Sequence, residues 1–109
     1  MADTLKVLGQ LDPVAATLTD LYTVPGATST LTNTLTVCNR SSSNGSFRVS
    51  IAVGGAADDV KQYIYYDVPI IGNDTFAETM GLTLAATDKV RVFTVSGSLS
   101  FGLWGIEIT

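Results

Sequence analysis

The chain has 109 residues, enough for one domain and short for two. Its net charge of −4, with six lysines and arginines scattered along the chain, excludes a run able to neutralise a phosphate backbone, so no nucleic-acid partner is expected. A single cysteine, Cys38, excludes an intrachain disulfide, and the lack of histidine excludes Ser-His-Asp and Cys-His catalysis.

A hydrophobic fraction of 46% supplies a core, while only 15% of residues are charged, against about 25% in a typical domain. A Thr- and Ser-rich, weakly charged surface is expected where neighbouring molecules cover part of it. No basic amphipathic helix and no apolar run near the roughly 20 residues of a span is present, so no membrane partner is expected. The segment from Met1 to Lys6 lacks the apolar core of a secretory signal, which points to synthesis in the cytoplasm.

In chain order, residues 4–8 and 15–24 read as two N-terminal strands. Leu31, Leu35 and Val37 then alternate with threonines at 30, 32, 34 and 36. The link at residues 40–46 contains Asn44-Gly45 and predicts a hairpin with an exposed tip. Residues 47–53 form the clearest strand, with Phe47, Val49, Ile51 and Val53 directed to the core. Residues 58–66 have room for one helical turn, but their aromatic second half favours a strand over 62–69. Residues 76–84 place Phe76, Met80, Leu82 and Leu84 on one face, and residues 89–95 give a further strand after the turn at 85–88. In residues 98–109, Leu99, Phe101 and Leu103 share a face before Trp104, Ile106 and Ile108 take over, which predicts a bulge beside Gly102 and Gly105. About eight short strands with Gly, Pro and Asn punctuation predict an all-β chain: a single antiparallel β-sandwich over residues 1–109, jelly-roll-like or immunoglobulin-like.

The chemistry-bearing residues are sparse. With no histidine and only Glu78 and Glu107 among glutamates, no catalytic set and no enzyme activity are expected. No cofactor motif is present, and no cofactor is expected. Cys38 reads as a small buried hydrophobe at a strand end. Asp58 and Asp59 match no calcium-loop spacing and read as a solvated loop tip. Residues 73–75 read as a turn with positive φ at Gly72 and Asn73. Strict alternation sends Tyr63 and Tyr65 to one face and Ile64, Tyr66 and Val68 to the other. Outward-facing Tyr63 and Tyr65, with Trp104, would anchor a protein interface or stack on a sugar. The candidate interface residues are therefore Tyr63, Tyr65, Trp104, Asp58 and Asp59.

Several stretches resemble a family of small structural proteins of tailed-bacteriophage particles. They are residues 21–26 (Leu21 to Gly26), 35–40 (Leu35 to Arg40), 47–49, 65–69 (Tyr65 to Pro69), 73–76 and 81–88 (Gly81 to Asp88). The resemblance implies a non-enzymatic component of the virion. Its partners would be other virion proteins, with the major capsid protein favoured and neck, tail, baseplate or fibre proteins as alternatives. A capsid decoration or cement protein, forming a homo-oligomer, is the favoured expectation; a carbohydrate-binding adhesin module is the competing one. The first twenty residues carry the resemblance least, and residues 1–20 are a candidate arm towards a neighbouring subunit.

Overall fold

The computed structural model describes residues 2–109, which run through nine strands: β1 (Asp3–Leu11), β2 (Thr19–Thr23), β3 (Ser29–Asn39), β4 (Gly45–Ala52), β5 (Tyr63–Ile70), β6 (Thr75–Thr79), β7 (Thr83–Leu84), β8 (Lys89–Thr94) and β9 (Leu99–Ile108). They form two antiparallel sheets. The front sheet has the order β1-β9-β3-β6, with β7 also on β3; the back sheet has the order β2-β8-β4-β5. With β6 and β7 taken as two halves of one strand along β3, eight strands wind through two four-stranded sheets, and this winding is a jelly roll. The split has a local cause. An extra residue in β3, Asn33, shifts the register, and Thr32 Oγ1 bridges the gap by donating to Met80 O and accepting from Leu82 N.

The core lies where the alternation of the clearest runs directs it. Leu35, Val37, Phe47, Val49, Val90, Val92, Leu99, Phe101 and Leu103 are buried, and Phe76, Met80 and Leu82 pack against them. Phe47 sits at the centre, with its ring 5.1 Å from Phe76 and 6.2 Å from Phe101. Phenylalanine truncation at such a site removes about 3–5 kcal/mol.

Four expectations are corrected. The link at residues 40–44 is no hairpin: β3 belongs to the front sheet and β4 to the back sheet, so the loop crosses between layers. Buried Asn39 organises that crossing, donating to Ser43 O at 2.9 Å and Ile70 O at 3.3 Å while accepting from Ser41 N. Val53 is exposed rather than in the core, because β4 ends at Ala52 and the chain turns away. Leu31 faces away from Leu35 and Val37, because the bulge at Asn33 reverses the parity and buries Thr30 and Thr32 instead. Strand β9 itself keeps its alternation throughout. The expected bulge lies in its neighbours, at Leu8 of β1 and Asn33 of β3, so Trp104 and Ile106 simply face outward.

The segment that reads as a candidate arm is paired within the chain along β1, and residues 2 and 109 close the ladder at the termini.

Candidate interaction surface

The bulges create the most distinctive surface of the molecule. On the outer face of the front sheet, Leu5 pairs with Ile106 and Val7 with Trp104, and Leu31 pairs with Ile106 from the other side. These apolar side chains line a groove of about 710 Å³. A second groove of about 450 Å³ continues past Gln10, Thr36, Cys38 and Ser100, and Trp104 lines both. The floor is shaped by Gly102: a Cβ there would stand 2.6 Å from the Trp104 ring and 2.9 Å from Thr36 Oγ1. The indole therefore lies over a glycine, which is what lets a large ring rest flat on a sheet. Charge enters only at the ends, through Lys6, held by Glu107 at 3.2 Å, and Asp12, held by Arg40 at 2.8 Å. Cys38, expected as a buried hydrophobe, is half-buried on this outer face because it pairs with Ser100.

The outer face of the back sheet is built on the opposite principle. Arg48 lies 4.1 Å from the Tyr66 ring centroid and 4.7 Å from that of Phe93, and its guanidinium donates two hydrogen bonds to Asp67. Asp20 bridges Lys89 at 3.0 Å and Arg91 at 3.1 Å. Burial raises the Asp20 pKa, but the hydrogen bonds from Lys89 and Arg91 outweigh it and leave the carboxyl below its usual value. Arg91 also donates to Ala56 O at 2.7 Å and Gly55 O at 3.3 Å, pinning the loop between β4 and β5.

A third polar group ties the two sheets together at one corner. The Tyr22 hydroxyl donates to Glu107 Oε2 at 2.5 Å and lies 2.8 Å from Thr30 Oγ1. Burial, reinforced by the Glu107 carboxylate, pushes the Tyr22 pKa up to about 12, and the Tyr22 hydrogen bond in turn lowers that of Glu107. These carboxylates are engaged with cations, a phenol or backbone amides, as Asp88 is with Gly54 N and Ala85 N.

The sequence candidates separate. Tyr63 and Tyr65 do not share a face, because two bulges in β5 place Tyr63 opposite Ser50 and Tyr65 opposite Val49. Tyr65 packs inward on Phe47 and Phe76, whereas Tyr63 and Tyr66 face out with rings perpendicular at 90°. Perpendicular rings present an edge beside a face and make no flat platform for a sugar. Asp58 and Asp59 lie in the exposed loop of the back sheet, where Asp58 accepts from the Tyr63 hydroxyl at 3.4 Å and Asp59 caps Lys61 N. Of the two positions expected at positive φ, Asn73 takes it, at 61°, and Gly72 does not. Trp104 alone lies on the apolar front face. Leu5, Val7, Leu31 and Ile106 are the residues that sequence reasoning missed; the signal was the exposed apolar alternation of Leu5 and Val7 in β1.

No protein-family model matches the chain, and no curated protein matches it.

Proposed function

We propose that the chain is a non-enzymatic structural protein of a tailed-phage virion, a capsid decoration or cement protein that stabilises the shell through protein–protein contacts. The observation that carries this reading is the apolar outer face of the front sheet, centred on Trp104 and almost free of charge, beside a back face whose charges are already satisfied. Contiguous exposed apolar surface of this kind marks interaction sites. A large aromatic at its centre is the residue type that dominates interface energetics. The jelly roll adds an analogy of fold, since viral capsid domains use it, and so do lectins. The resemblance of residues 21–26, 35–40 and 81–88 to virion proteins favours the first. The perpendicular Tyr63 and Tyr66 rings weigh against the second.

The test is the copy number of the chain in purified particles, measured by quantitative mass spectrometry against the major capsid protein. A number comparable to the capsid protein supports decoration or cement. A small fraction of it replaces decoration by a neck, tail, baseplate or fibre position, and absence from the particle overturns the virion reading.

A further inference from the structure

Strand β1 is an edge strand whose first five residues, Asp3 to Val7, are all exposed. Its hydrogen-bonding parity follows from the terminal pair: Ala2 N donates to Thr109 O at 3.1 Å and Thr109 N to Ala2 O at 2.9 Å. In an antiparallel ladder such pairs alternate with non-bonded ones, so Thr4 and Lys6 point their amides and carbonyls at β9. Leu5 and Val7 then direct theirs away from the sheet, to an edge with no proline and no bulge before Leu8. Natural edges are usually blunted by such devices or by charged side chains; the charges on this edge are Asp3 and Lys6, the latter drawn back to Glu107 at 3.2 Å, and the backbone groups of Leu5 and Val7 are left as a template for another strand.

We propose that this edge pairs with β1 of a second copy of the same chain, antiparallel, about a two-fold axis at Leu5. Side-chain parity and charge select the register. Outward residues must meet outward residues, which fixes Leu5 opposite Leu5, Asp3 opposite Val7 and Thr4 opposite Lys6. The register shifted by one pair towards Leu8 sets Lys6 against Lys6, a like-charge clash at the seam. In the selected register each Lys6 faces the small Thr4 of the partner, and beyond that Thr4 stands the partner's Glu107, so charges across the seam are complementary. The two front sheets become one continuous sheet. The Leu5 surfaces of both copies then join across the seam, with an Asp3 carboxylate beside the partner's Val7 at either end, the isologous arrangement of a closed dimer. This inference concerns the isolated chain and stands apart from the virion reading.

The mass of the purified full chain is measured by analytical ultracentrifugation across a concentration series. A species of twice 11.4 kDa is expected at high concentration. Leu5→Lys, at a site already 77% exposed, is expected to weaken the dimer about tenfold or more while leaving in place the melting temperature measured at concentrations where the chain is monomeric. In a Cys38→Ser background, Leu5→Cys is expected to form an intermolecular disulfide on mild oxidation, because Cα atoms of a bonded antiparallel pair stand about 5.5 Å apart. Ile71→Cys, on a remote exposed loop, is expected to stay monomeric under the same oxidation. A chain that remains monomeric throughout overturns the proposal. So does a dimer that Leu5→Lys leaves intact and Leu5→Cys does not cross-link.

Discussion

On the back face of the sandwich each cation of β4 and β8 has its partner in the same chain: Arg48 has Asp67 and two aromatic rings, and Lys89 and Arg91 share Asp20. On the front face Leu5, Val7, Leu31, Ile106 and Trp104 have solvent as their outer neighbour. Both faces come from strands of the same jelly roll, so the contrast is written in side chains. A face of paired charges gains little by docking, because covering the pairs costs the desolvation of their charged groups. A face of uncovered apolar groups gains from any surface that removes it from water. The polar, aromatic-rich face is thus satisfied within the chain, and the apolar one is left uncovered.

The largest effect that would sharpen this contrast is at Trp104. On the proposed virion role, Trp104→Ala is expected to weaken attachment to the particle by at least about 2 kcal/mol, roughly thirtyfold, in a binding titration. Retention of full affinity would move the contact off the front face. Arg91→Ala comes next, on the back face. It strips the Ala56 and Gly55 carbonyls of their donor, water can take its place at exposed Ala56, and the expected cost is about 1–1.5 kcal/mol in thermal or urea unfolding. Attachment should stay unchanged, and a parallel loss of attachment would give the back face a share in docking.

Tyr22→Phe probes the corner where the two sheets meet, at about 1 kcal/mol near neutral pH. The Glu107 pKa is lowered in the fold, so its contribution is present above the ordinary carboxylate value and is lost as pH falls through the folded one. The Tyr22 pKa is raised from 10.0 to about 12, so its contribution is present below 10.0 and is lost as pH rises through about 12. Melting temperatures across pH should show both limbs in the parent. In Tyr22→Phe the acid limb should shrink and the alkaline limb from this residue disappear. Unchanged limbs would show that other groups set them. The smallest effect is at the loop tip: Asp58→Ala, which leaves the Asp59 cap on Lys61 N in place, is expected to change stability by within about 0.5 kcal/mol and attachment not at all.

Much of the core was legible because Phe47, Val49, Leu99, Phe101 and Leu103 obey strict alternation in strands that carry no bulge at those positions. The apolar outer face was not, and the reason is physical. A bulge adds one residue and reverses which side chains point inward from there on. Asn33 turned Leu31 outward, Leu8 kept Val7 on the surface, and the two bulges of β5 separated Tyr63 from Tyr65. Apolar residues in a strand are read as core by default, so an outward apolar row such as Leu5, Val7 and Ile106 looks the same as a buried one. The layer crossing at residues 40–44 was hidden likewise, since Asn-Gly serves a hairpin and an inter-sheet loop equally well. What marks the crossing is Asn39, whose side-chain bonds reach both Ser43 and Ile70.

Docking through the front face would cover β1, β9 and Trp104 and leave the back sheet exposed. Amide hydrogen exchange, measured on the free chain and on the chain bound to purified particles, tests this directly. Added protection is predicted in β1 and β9, together with a blue shift of Trp104 fluorescence. Added protection confined to residues 53–67 and 89–93, with Trp104 emission unchanged, would contradict it.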